Sequence, residues 1–158
     1  MSGSLGSSIP AALAFLEDQI RELQAVKAAQ AEVSDGWPAN RRDAMVVLAL
    51  NPDQDTTGVS WEYASLGGEH EQVAMPCAIV VKRSGPKAGR AAREVAFAIL
   101  DAIRDLVKQD RTLGGAICPG REARVVRAVM APTSRAKQAG EGRVVEINWW
   151  VEWQHRLD

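Results

Sequence analysis

Cysteine, histidine and tyrosine are almost missing from this chain, which has two, two and one of them in 158 residues. Two cysteines, Cys77 and Cys118, cannot supply the multi-bridge framework of a small secreted domain, and each sits in or beside an apolar run, as small core residues do. His70 and His155 stand far apart, and neither has a Cys, His or Asp at metal-ligand spacing, so no metal site is expected. A Cys/His nucleophilic pair could meet only in space, and nothing local supports one. The reading is therefore of a chain that is not an enzyme, with no catalytic residues and no cofactor.

A surplus of charge is lacking too. The 19 basic and 20 acidic residues leave a formal net charge of -1, so no overall field draws the chain to nucleic acid or to an anionic membrane. There is no long apolar run: the stretch after Pro10 is broken by Glu17 and Asp18, and the Ser/Gly-rich opening carries no basic residue. Neither a signal peptide nor a membrane span is expected. The expected place of work is the cytoplasm, or a particle assembled there.

What the chain does have is ordinary globular composition, 46% hydrophobic and 25% charged, at a length suited to one core. Residues 1–8 read as a flexible N-terminus and 9–158 as a single domain. Pro10 suits the first turn of a helix in which Leu13, Leu16, Ile20 and Leu23 recur every three or four residues. That helix fades through an alanine-rich tail to Ser34, Asp35 and Gly36. Three strand-like runs follow, "DAMVVLALN", "GVSWEYA" and "VAMPCAIVVKR", separated by turn residues. Pro76 removes a ladder donor from the third, which predicts an edge position or a bulge there.

A second helix is predicted where Ala92, Val95, Ala96, Ile99, Leu100, Ile103, Leu106 and Val107 trace one apolar face. Lys108 suits its negative end, and Gly114 and Gly115 permit the positive φ that reverses the chain. Two more strands, "REARVVRAVMA" and "GRVVEINWWVEWQHRLD", flank a polar excursion at 132–141. In the last one, Val145, Ile147, Trp149, Val151 and Trp153 share a core face, while Trp150 is an anomaly on the polar face. The order of elements predicts an α+β domain: a mostly antiparallel or mixed sheet of about five strands with two main helices packed against it.

Binding features are weaker. "SGPKAGRAAREV" puts glycines and cations before the second helix, where an anion could be received, but Gly89 is followed by Arg90 and Ala91 where a phosphate loop needs Lys and Ser or Thr. A small anion- or nucleotide-binding bacterial domain is thus the reading from a different class. Arg121, Arg124, Arg127, Arg135, Lys137 and Arg143 cluster near the final hairpin, yet simple alternation gives Arg124 and Arg127 different faces, and no aromatics are interleaved for base stacking. The contact residues expected are Arg135, Lys137 and Gln138 in the 132–141 excursion, Asp53, Gln54 and Asp55 in the 51–58 connection, and Trp150. Such features suit a component of an assembly.

With "AFAILDAIRDLVKQDRTLGGAI" followed by a strand, a polar excursion and "VVEINWWVEWQHRLD", the chain resembles the tail terminator (tail completion, head-to-tail joining) proteins of long-tailed bacteriophages. The resemblance spans residues 9–157, and its strongest point is the corner from Asp110 to Gly115. It implies a structural virion protein assembled in the host bacterial cytoplasm and placed in the tail at the head–tail junction. Its subunit would form a ring, usually a hexamer, cap the major tail tube protein, stop tail polymerisation and offer the docking surface for the head connector or stopper. DNA would pass through the channel without specific binding. Another phage neck or head-completion protein is the nearest alternative.

Overall fold

The computed structural model describes residues 6–50, 60–64 (backbone), 70–130 and 142–157. Helix α1 (Ile9–Arg21) begins at the Ile9-Pro10 pair, as proline at the first turn favours. It is shorter than its periodicity predicts. Leu23 takes an extended conformation (φ −65°, ψ 136°) and starts a separate short helix, α2 (Gln24–Ala28), which buries Val26. The alanine-rich tail then yields a strand that the sequence reading passed over, β1 (Glu32–Asp35). Its single apolar residue, Val33, is too little for a strand pattern, and it pairs in parallel with β2 (Ala44–Leu48).

The remaining elements fall where the sequence predicts them: β3 (Ser60–Ala64), β4 (His70–Arg83), α3 (Ala88–Gln109), β5 (Arg124–Met130) and β6 (Arg143–Arg156). The fold is α+β. Five strands run across a mixed sheet in the order β1-β2-β4-β6-β5, and β3 pairs with β4 as a sixth. Only the β1–β2 pair is parallel.

Pro76 is neither at a sheet edge nor at a bulge. β4 is central, paired with β6 along its whole length, while its other side is shared by β3 at residues 70–74 and β2 at residues 78–81. Pro76 sits in the gap between those two. Its carbonyl accepts Leu50 N–H at 2.8 Å on that side, and a strand residue turns its N and O the same way. The missing donor therefore faces the gap, and the β6 ladder loses nothing.

All helices cover one face of the sheet. α1 contributes Ala12, Leu16 and Ile20, and α3 contributes Ala92, Ala96, Ile99, Ile103 and Val107. Against them lie Val73, Met75, Cys77, Ile79 and Val81 of β4 and the odd-numbered row Val145 to Trp153 of β6. Period two in the strands and period 3.6 in the helices thus converge on one core. A smaller cluster, Met45, Val47, Leu50, Ala78 and Val80, lies on the opposite face.

The corner after α3 closes through side chains. Asp110 accepts Thr112 N–H (3.1 Å), the Thr112 hydroxyl (2.6 Å) and Gly114 N–H (3.0 Å), and Thr112 Oγ1 accepts Gly115 N–H (3.1 Å). These bonds supply amide groups that no helix or strand ladder reaches. Leu113 is turned inward, 1% exposed, at the strained φ of 50°. Gly114 takes φ +71°, and a Cβ there would come within 2.5 Å of the Phe15 ring of α1. The corner therefore locks α3 to α1 before the chain reaches β5.

Candidate functional site

Of the expected contact residues, Arg135, Lys137, Gln138, Asp53, Gln54 and Asp55 lie outside the described residues. Trp150 is described, and its setting explains why an aromatic stands on a polar face. It is the cross-strand partner of Arg127, whose guanidinium carbon lies 4.9 Å from the ring centroid. The ring is half-buried beneath the cation, a geometry in which the ring quadrupole attracts the charge.

Arg124 and Arg127 do share a face, contrary to simple alternation. A register shift between Val125 and Arg127 leaves Val126 as an extra residue, so Arg124 opposes Glu152 while Arg127 opposes Trp150. A bulge of this kind resets the parity of a strand. Arg124 and Arg121 join Gln72, Glu152 and Gln154 around a cleft of about 700 Å³ on the side of the sheet away from the helices. A ladder of opposite charges and amides thus crosses β4, β6 and β5 at this end.

β5 itself is exposed along nearly its whole length. Among the described residues it pairs with β6 alone, and Val126 (48%), Val129 (40%) and Met130 (47%) stand exposed. Met130 lies on the helix side of the sheet, opposite Ile147, and is nonetheless exposed. An edge strand with unpaired backbone groups and apolar side chains is a template for another chain. Sequence reading missed this surface because "RVVRAVM" has the composition of an interior strand. Only the tertiary arrangement leaves it bare.

The far end of the sheet holds a buried polar group. Ser8 (2% exposed) donates its N–H (3.0 Å) and its hydroxyl (2.6 Å) to Glu71 Oε1, and Trp153 Nε1–H donates to Ser8 Oγ (2.7 Å). Ser8, grouped with the N-terminal segment in the sequence, belongs to the core. His155 is the cross-strand partner of Glu71. It is buried rather than superficial, and its Nδ1 accepts Cys118 N–H at 3.1 Å. Cys118 Sγ in turn accepts Arg156 N–H at 3.3 Å. These bonds tie Ser8 and the Cys118 turn to the sheet, with His155 Nδ1 engaged by backbone.

Cys77 is fully buried, and burial pushes its thiol up to about 12. Among the described residues no group of His, Cys, Asp and Glu could hold a metal ion, and no helix is long and apolar enough to cross a membrane. At the Ser84–Arg90 stretch, Lys87 precedes α3 with φ 60° and makes no side-chain cap.

No family model and no curated protein matches the chain. Among solved structures, a chain of the "Virion of native gene transfer agent (GTA) particle" is similar over 88% of this chain and 91% of its own, at 14% identity and a TM-score of 0.39.

Proposed function

We propose that this chain is a structural virion subunit which closes into a ring, caps the tail tube and gives the head connector or stopper its docking surface. The observation that carries the reading is the lopsided finish of the fold. One side of the sheet is sealed by helices, whereas among the described residues nothing covers the β5 edge, which carries three exposed apolar side chains beside Arg127 and Trp150. Shape presented to other subunits is the chemistry such a surface offers. The resemblance to tail terminators adds the direction, and its strongest residues, Asp110 to Gly115, fold as a closed corner that fixes α3 against α1. In this reading the corner is scaffold, and contact belongs to the strand edge and to residues 131–141, which follow β5 in the sequence.

The test is tube growth. Polymerising tail tube protein with and without this chain, and measuring tube length and ends by electron microscopy, should give short tubes with a collar at one end when the chain is present. Tubes of unchanged length with bare ends would remove the capping role.

A further inference from the structure

We propose that neighbouring copies of this chain join edge to edge, β5 of one copy pairing antiparallel with β1 of the next, so that one sheet runs on around the assembly. The proposal rests on the ring reading and names the contact that closes it.

Topology allows this without turning a subunit over. β5 is antiparallel to β6, β6 to β4 and β4 to β2, while β1 is parallel to β2. β5 and β1 therefore run in opposite directions at the two ends of the sheet. A copy shifted sideways presents its β1 antiparallel to this β5, with its helices on the same side. The contact uses two unlike patches, and such head-to-tail contacts generate rings when the rotation closes.

Charge favours the pairing. β5 reads "RVVRAVM", with Arg127 and with Arg124, which holds Glu122 at 2.9 Å, and no acid, while β1 reads "EVSD", with Asp35 and with Glu32, 3.4 Å from Arg42, and no base; both ion pairs are solvent-exposed. A copy of β5 against another β5 would bring together two basic strands, and β1 against β1 two acidic ones. Opposite charges across an interface select the partner and fix the register.

Backbone groups are available on both edges. Trp150 faces Pro76 across β4–β6 in a pair whose bonds point away from β4, so Trp150 bonds toward Arg127, leaving the amide and carbonyl of Ala128 and Met130 outward. On β1, Gly36 N–H bonds Leu48, so the alternate residues Val33 and Asp35 turn their backbone outward. In the isolated subunit the Val33 carbonyl is covered by Arg21 Nη2 at 3.2 Å. That guanidinium also holds Glu17 at 2.8 Å and keeps this partner when the carbonyl is released. Of these two edges, β1 is short and arginine-covered and β5 is the open one.

The experiment is a charge swap on the full chain, with folding checked by thermal unfolding and association measured by sedimentation over a range of concentrations. Arg124→Glu with Arg127→Glu, and separately Glu32→Lys with Asp35→Lys, should each weaken self-association at least tenfold. An equimolar mixture of the two variants should restore it, because both kinds of contact in an alternating ring are then between opposite charges. If the Glu32→Lys, Asp35→Lys variant associates as the wild type does, or the mixture fails to recover, the edge pairing is overturned. A wild-type chain that stays monomeric at every concentration overturns it as well. Neither result touches the capping role, which stands or falls with tube length.

Discussion

Ser8 and Glu71, 63 positions apart, meet through two hydrogen bonds to one carboxyl oxygen, Oε1. With Trp153 donating to the same hydroxyl, the start of α1 is fastened to one end of the central β4–β6 pair. Glu71 is fully buried, and its Oε2 has no hydrogen-bond partner among the described residues. A buried polar set of this kind is costly to break, because each group left behind has lost water as well as its partner.

Ser8→Ala removes the shared hydroxyl and strands both the indole N–H and part of the carboxyl. The expected loss is about 2–4 kcal/mol of unfolding free energy, from two groups at about 1–2 kcal/mol each. Urea titration followed by tryptophan fluorescence measures it. A loss below about 0.5 kcal/mol, the size of an ordinary surface change, would mean the fastening contributes nothing.

Gly114 and Gly115 adjoin and both have positive φ, yet their substitutions should differ. Gly114→Ala drives a Cβ into the Phe15 ring, whereas a Cβ on Gly115 meets nothing within 4 Å. Left-handed backbone costs an L-residue about 1–2 kcal/mol at either site, and overpacking adds about 1–3 at the first. Thermal melts should therefore rank Gly114→Ala well below Gly115→Ala. Equal melting temperatures would show that Phe15 moves aside freely.

Asp110 titrates with the corner it closes. The Thr112 hydroxyl, then the Gly114 and Thr112 amides, hold its carboxyl below the usual range against a smaller opposing effect of burial. A depressed folded value means that the stabilisation is fully present above the unfolded carboxyl's pKa, at about 4, and is lost as the pH falls through the lower folded value. Asp110→Asn should be less stable than wild type at pH 7 and should converge on it in acid. Parallel stability curves between pH 7 and pH 2 would refute this.

The two thiols should separate cleanly. Cys77 is buried with its thiol pushed up to about 12, while Cys118 is half-buried. Because the thiolate is the reactive form, a maleimide at neutral pH should label Cys118 in the native chain and Cys77 only after denaturation. Mass spectrometry after brief labelling counts the adducts. Rapid double labelling of native protein would place Cys77 on an opening segment.

Much of this fold was legible in the sequence because its signals are local. The α3 stripe from Ala92 to Val107 and the β6 alternation from Val145 to Trp153 are periodic over many residues, and both bury the side chains that the pattern predicts. The misreadings arise where a non-local partner decides. β1 has one apolar residue and exists because β2 lies beside it. Pro76 is tolerated centrally because β2 and β3 leave a gap opposite it. Arg124 and Arg127 share a face through an extra residue that no alternation rule foresees. The candidate surface was less legible. Trp150 stood out, but that Arg127 would lie over it, and that Val129 and Met130 would stay uncovered, depends on where the sheet ends.

β4 and β6 remain in register for fourteen consecutive pairs, from His70 with Arg156 to Arg83 with Arg143. At about 3.3 Å per residue, they form a beam some 45 Å long. A pull that slides one strand along the other loads all its cross-links together rather than peeling them one after another. A subunit with such a beam yields last along the strand axis and first at its short flanking strands.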